Sequence, residues 1–329
     1  MRFIPYLFCI AVVASCKPNE KPIQAINLGQ KVLVCNEGNF GWGNADFDLY
    51  NKNTGELSSS VFNNANGTKL GDVLQSGIVW NGELYLVINN SGKITVLDTG
   101  SFKVQRSLSG FVSPRYIEPI NSSKALVTDL YANTLYVVYK QSGITQKIPV
   151  QGRCEQMASN NNTIAIACPK GIVYFFDKAT EKISDSALVP KGPSQLQYVN
   201  GQWFTMAKSG QKSIMYSVNP GSSSPAWDTT SHNANYSLFQ FHTKLNKWLF
   251  LEGNKLVLMN NDFTNTTTVY NGGTANFYGL RIDPDNGDIY LANAKNYTSN
   301  GEVIRLNSAF NEVAKFTVGI IPGEFIFMP

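Results

Sequence analysis

Short apolar runs alternate with polar turns along nearly the whole chain, and almost no segment carries a helical period. Leu84-Tyr85-Leu86-Val87-Ile88 is one such run, and Leu135-Tyr136-Val137-Val138-Tyr139 is another. Ile172-Val173-Tyr174-Phe175-Phe176, Trp248-Leu249-Phe250-Leu251 and Asp288-Ile289-Tyr290-Leu291-Ala292 repeat the theme. Runs this short, rich in β-branched and aromatic residues and bounded by Asn, Gly, Ser and Asp, predict strands. Asn81-Gly82, Asn200-Gly201 and Asn286-Gly287 fall between runs, where a tight hairpin turn needs positive φ.

The runs recur in register. A unit opens on a short apolar strand, turns into a strong strand, passes a small loop into a third, and closes on a more polar fourth. Openings fall near Ser76, Tyr116, Glu155, Gln195, Tyr236, Tyr278 and Glu324. Their spacing of roughly forty residues is the period of a four-stranded propeller blade. The last opening, at Pro322-Gly323-Glu324-Phe325-Ile326-Phe327-Met328, leaves no room for the rest of its blade. The missing strands stand at the other end, near residues 31–36, 45–51 and 57–62. The C-terminal strand is therefore expected to complete the first blade and close a ring. A β-sandwich array or a β-helix gives no reason for complementary fragments at the two ends. The expectation is an all-β, seven-bladed β-propeller over residues 26–329, as one domain.

Composition narrows the class. Charged residues make up 15% of the chain, aromatics 12%, and the net charge is +4 with no basic run. That lacks the electrostatic footprint of a nucleic-acid binder. A polar surface of Asn, Ser, Thr and Gly suits a secreted β protein.

The first residues explain how such a chain would be secreted. Arg2 precedes an apolar stretch from Phe3 to Val13, too short to span a bilayer of about 30 Å and suited to a signal peptide. Val13-Ala14-Ser15-Cys16 resembles the bacterial lipobox, which implies cleavage before Cys16 and lipid on its sulfur. Residues 1–15 are then the signal peptide, and residues 16–25, beginning Cys16-Lys17-Pro18-Asn19, a lipidated tether. Several acyl chains, at about 0.8 kcal/mol per buried CH₂, anchor stably. Lys rather than Asp at the second position after Cys16, by resemblance to enteric sorting rules, points to the outer membrane and the cell surface.

Chemistry is constrained by scarcity. The chain has two histidines, His232 and His242. We place the first in a loop and the second near the first strand of blade six. They support neither a histidine-based metal centre nor a Ser-His-Asp triad. Asp283-Pro284-Asp285-Asn286-Gly287-Asp288 lacks the bidentate Glu of a calcium loop and reads as a turn in blade seven. No metal and no cofactor are expected. Cys154 and Cys168 flank a hairpin turning at Asn160-Asn161-Asn162, which leaves either a disulfide or two buried thiols.

One segment breaks the alternation. In Asn36-Glu37-Gly38-Asn39-Phe40-Gly41-Trp42-Gly43-Asn44-Ala45, three Gly free the backbone, and Phe40 and Trp42 have no period-2 partners. The two rings either present themselves to a ligand or plug the gap beside the closing strand. Loops after second strands share one propeller face with the loops joining blades. On that face we place Arg115, Tyr116, Asp129, Tyr131, Arg153, Lys170, Lys208, Asn293, Asn296 and Tyr297. Aromatics, amides and a few cations suit a large polar ligand with apolar flanks.

Val34-Cys35-Asn36-Glu37-Gly38-Asn39-Phe40-Gly41, the following Asn44-Ala45 and the blade pattern together resemble the YncE-like propeller lipoproteins of Bacteroidota. Among these are surface cobalamin-binding lipoproteins that sit on TonB-dependent vitamin B12 transporters. The resemblance implies a non-enzymatic protein that captures a corrinoid on the loop face and hands it to an outer-membrane barrel. Two other readings are a propeller-type lactonase or lyase, and a protein-interaction scaffold.

Overall fold

A computed structural model of the chain describes residues 30–221 and 231–328. The expected signal peptide, lipidated Cys16 and tether lie outside the described residues. Seven four-stranded antiparallel sheets are arranged in a ring, the arrangement of a seven-bladed β-propeller. Their innermost strands are Pro322–Phe327, Leu74–Trp80, Pro114–Pro119, Met157–Ser159, Gln195–Val199, Phe239–His242 and Phe277–Ile282. The ring closes as the termini predict. Pro322–Phe327 pairs with Lys31–Asn36, with Val32 opposite Phe327, Leu33 opposite Ile326 and Cys35 opposite Glu324.

The core is divided among seven apolar clusters, each filled from two adjacent blades. This accounts for the strength of the sequence signal. Second and third strands face a neighbouring blade on both sides, so Leu84, Tyr85, Leu86, Val87 and Ile88 are all fully buried. Such strands read as continuous apolar runs rather than alternating ones. Outermost strands such as Val104–Ser109 are largely exposed and read as polar.

The period of the sequence reappears in the polar contacts between blades. Ser76 Oγ donates to the Arg115 carbonyl, Ser159 Oγ donates to Glu118 Oε1 at 2.6 Å, and the Gln156 side-chain carbonyl accepts from Leu196 N at 3.1 Å. Each partner stands about one blade away along the chain, roughly forty residues before or after.

Two local expectations are corrected. The fourth strand of blade one is only Leu57–Ser58, and Val61–Asn66 follows as a short helix. The Asp46 carboxylate accepts the backbone N–H groups of Phe62 and Asn63, which satisfies orphan donors of the first helical turn. Phe62 is buried between blades one and two, so packing overrides the apolar alternation. His232 lies not in a loop but in the two-residue strand Ser231–His232, paired with Ser213. His242 ends the innermost strand of blade six, where its Nε2 is 2.9 Å from the Gly287 carbonyl. The acidic turn after Phe277–Ile282 is neutralised by the chain itself. Lys52 Nζ is 2.9 Å from Asp283 Oδ2, and Arg305 Nε donates to Asp288 Oδ2 at 2.7 Å.

Candidate functional site

The loop after Lys31–Asn36 is built to hold its apex away from the body. Gly38 has φ +75°, and a Cβ there would sit 2.5 Å from Asn44 Oδ1. Asn39 N donates to that same oxygen at 2.8 Å, which closes the loop on itself. Gly41 N donates to Asp72 Oδ2 at 2.8 Å on one side, and Asn39 Nδ2 donates to the Tyr297 carbonyl at 2.9 Å on the other. Between these ties Phe40 and Trp42 are 73% and 72% exposed. They do not plug the gap beside the closing strand.

Next to this loop the central channel opens. Its mouth is a cavity of about 210 Å³ lined by Glu37, Gln75, Arg115, Gln195, Tyr278 and Arg281 among others. The Tyr278 hydroxyl donates to the Glu37 carboxylate at 3.2 Å, and its ring meets Tyr297 edge-on at 5.8 Å. Arg115 Nε donates to Glu155 Oε2 at 2.8 Å, and its NH1 donates to Gln75 Oε1. Burial pushes Glu37 up from 4.5 to about 7, against the opposing pull of the Tyr278 hydrogen bond and the Arg115 charge. A carboxyl group near neutrality in a cleft is a candidate functional position on physical grounds.

Tyr116, Gln156, Arg281 and Glu324 line both this mouth and a second cavity of about 460 Å³ deeper in the channel. They form the waist. Arg281 binds Glu324 through two parallel bonds, 2.5 and 2.6 Å, the fork-to-fork geometry of a strong ion pair. Burial pushes the Tyr116 hydroxyl up to about 12, so it stays protonated and can donate.

Away from the channel, Tyr131, Arg153, Pro169 and Lys170 surround a cavity of about 440 Å³. Arg153 also lines a neighbouring cavity of about 290 Å³ with Lys191 and Lys208. Cys154 and Cys168 are joined as a disulfide beneath these loops. Among the described residues, no three His, Cys, Asp or Glu side chains converge as a metal centre would need.

The expected residues thus fall into groups. Arg115 and Tyr116 line the channel with Tyr297 packed edge-on against Tyr278 beside it, Phe40 and Trp42 stand on the raised loop, and Tyr131, Arg153, Lys170 and Lys208 form a basic rim. Asn296 lies apart. Its side-chain oxygen accepts from Thr298 N and Ser299 N, and it lines a separate cavity with Lys295 and Lys315. Asp129 and Asn293 hold loops. Buried Asp129 accepts four backbone N–H groups, from Val112, Ser113, Tyr131 and Ala132, which leaves it no capacity for a ligand. The Asn293 side-chain oxygen accepts from Asn276 N and Lys295 N.

Sequence reasoning missed Glu37, Gln75, Gln156, Gln195, Tyr278, Arg281 and Glu324 as channel residues, and Lys191 on the rim. A signal for several was present. Arg115 is separated by 40 residues from Gln75 and by 40 from Glu155, all near the openings of innermost strands. Polar residues recurring at the blade period on the one strand that faces the axis mark a channel lining.

No curated protein matches the chain. Among solved structures, it is similar to a quinonprotein alcohol dehydrogenase-like protein from Bacteroides thetaiotaomicron, with a TM-score of 0.67, 11% identity, and coverage of 91% of this chain and 78% of that one. A candidate 6-phosphogluconolactonase from Bacteroides fragilis gives a TM-score of 0.67 at 13% identity, over 91% of this chain and 98% of that one. A functionally unknown protein from Desulfotomaculum acetoxidans gives 0.68 at 12% identity, over 90% and 98%. Identities this low show a shared propeller fold and nothing finer. The matching family model covers residues 30–319, and the chain belongs to the family described as a domain of unknown function, DUF5074.

Proposed function

We propose that this chain is a lipid-anchored binding protein of the outer membrane that captures a large polar ligand on the loop face. Corrinoid (vitamin B12) is the ligand class we favour, with transfer to a TonB-dependent transporter as the next step. The observation that carries the reading is the pair Phe40 and Trp42, held in solvent by a loop tied on both sides, beside a polar channel mouth. Exposed rings on a rigid support offer large apolar contact at little entropic cost. A corrinoid offers a broad flat ring fringed by carboxamides, which would meet rings on the loop and hydrogen-bonding groups at the mouth. Lipid on Cys16 would keep this face near a membrane partner.

Calorimetric titration with cobalamin tests it. Binding in the micromolar range or tighter is expected, and no heat and no spectral shift at high micromolar protein would remove the corrinoid. Trp42→Ala should weaken binding by roughly tenfold or more, the scale of an interface hot spot. Its melting temperature should move by no more than about 2 °C, since the ring touches solvent. A large fall in stability would instead assign Trp42 to packing.

Glu37 favours a second reading, an enzyme of the lactonase or lyase type with Glu37 as its base. The sign of its titration can be tested without a substrate. Between about pH 4.5 and 7 the folded chain keeps a proton that the unfolded chain releases. Its stabilising contribution is therefore present below that window and lost as pH rises through it. Glu37→Gln mimics the protonated form. It should raise stability at about pH 8 by about 2 kcal/mol and leave it unchanged near pH 4.5. Equal effects at both values, read from urea melts, would show that Glu37 titrates ordinarily.

A further inference from the structure

We infer that the cavity between blades four and five, lined by Arg153, Lys191 and Lys208, is a subsite for a phosphate-type anion. The inference rests on the reading of this face as a ligand site, and it names one chemical group that a ligand there would carry.

Charge is the first argument. Arg153, Lys191 and Lys208 share one cavity of about 290 Å³, and Arg153 adjoins Lys170 across the next. Lys52, Arg106, Arg115, Lys124, Arg281, Arg305 and Lys315 are matched to carboxylates and exposed lysines such as Lys182 and Lys212 are not, so what sets the rim apart is that its cations line shared cavities. The four rim cations make no ion pair with a described residue. The one carboxylate lining the cavity, Glu155, is already engaged by Arg115 at 2.8 Å. Clustered like charges repel unless an anion sits between them, and the same cluster raises the local concentration of anions.

Rigidity is the second argument. Arg153, Lys170 and Lys191 come from three loops that are locked to one another, and Lys208 stands near the end of the strand Gln202–Ser209. The Cys154–Cys168 disulfide fixes the residue after Arg153 to the residue before Pro169. A Cβ on Gly152 would lie 2.5 Å from Lys170 Cδ, so the Lys170 stem runs directly over that glycine. A Cβ on Gly192 would lie 2.4 Å from the Pro169 carbonyl oxygen, so the loop carrying Lys191 presses onto the same segment. Lys191 itself is held at φ +76°, a conformation that a lysine adopts at a cost and that local packing must impose. Stem packing, a crosslink and a left-handed lysine together fix the loops from which the exposed side chains of Arg153, Lys170 and Lys191 project.

The charge count selects the anion. A carboxylate would neutralise one of three cations. A phosphate or pyrophosphate group carries more charge and offers oxygens in several directions. An Arg fork with flanking ammonium groups is a set suited to it.

The test is calorimetry of the full chain with inorganic pyrophosphate at low ionic strength. We expect saturable binding that weakens as salt is added. Arg153→Ala, Lys208→Ala and Lys191→Asn should each weaken it at least tenfold, Asn being chosen because it tolerates positive φ. Lys182→Ala, exposed on an outer strand of blade four, should leave it unchanged. Lys208→Gln provides a second variant should Lys208→Ala melt early. No heat at millimolar pyrophosphate, or parental affinity in all three rim variants, would overturn the assignment. Sedimentation with phosphatidylglycerol vesicles through these cations, without competition by pyrophosphate, would also overturn it, in favour of contact with a lipid surface. Cobalamin titration is a separate measurement, so its failure would leave a positive pyrophosphate result intact.

Discussion

A chain ending at Ile321 is expected to lose the cooperative melting transition of the full protein. The deleted residues include the strand Pro322–Phe327, which is the innermost strand of blade one. Its removal strips the ladder partner from Lys31–Asn36. It also takes Phe325 from the core between blades seven and one, and Ile326 and Met328 from the core between blades one and two. Losing a buried side chain of this size costs about 2–5 kcal/mol. Three together reach on the order of 10 kcal/mol, comparable to the whole stability of a typical domain. The opened ring would also present a free strand edge at Lys31–Asn36, which invites aggregation. Thermal melts followed by circular dichroism, with size-exclusion chromatography, read the outcome. A truncated chain that melts within about 5 °C of the parent and stays monomeric would show that the seventh inter-blade seam is dispensable.

Glu324→Ala should destabilise the fold by about 2 kcal/mol, because it leaves the part-buried Arg281 guanidinium without its partner inside the channel waist. The cost is that of an uncompensated, part-buried charge rather than the worth of the pair. Replacing both partners, as Arg281→Met with Glu324→Leu, should therefore recover most of the loss. Denaturant melts of the parent, the single variant and the double variant separate these contributions. A double variant as unstable as Glu324→Ala would show that the waist needs polar groups for a reason other than charge balance.

The fold was legible because the same physical demand recurs seven times. Every second strand is buried on both faces, so runs such as 84–88 and 248–251 stand out against polar outer strands. The complementary fragments at the two ends were readable because a closing strand has to open one blade and leave the rest of it elsewhere. What failed was local. Val61–Asn66 adopts a helix since Asp46, distant in sequence, supplies its first hydrogen bonds. The site was only half legible. Exposed rings such as Phe40 and Trp42 break the alternation and announce themselves. Most channel residues do not, since Gln75, Gln156 and Gln195 each look like ordinary strand-end polar residues until the ring sets them around one axis. Asp129 misled in the opposite direction, because a loop carboxylate that caps four backbone N–H groups has the same sequence signature as one that awaits a ligand.

The pairing of Lys31–Asn36 with Pro322–Phe327 also fixes an order of events during synthesis. Blades two to seven are each continuous in the chain, so every one can pair its strands soon after a ribosome makes them. Blade one cannot. Its remaining strands are translated early and then wait, with one side open, until Pro322–Phe327 emerges. Contacts of such long sequence separation form slowly, because the loop entropy is lost before the contact is gained. The most exposed moment in the life of this protein is therefore the interval between the making of Asn36 and the arrival of Phe327.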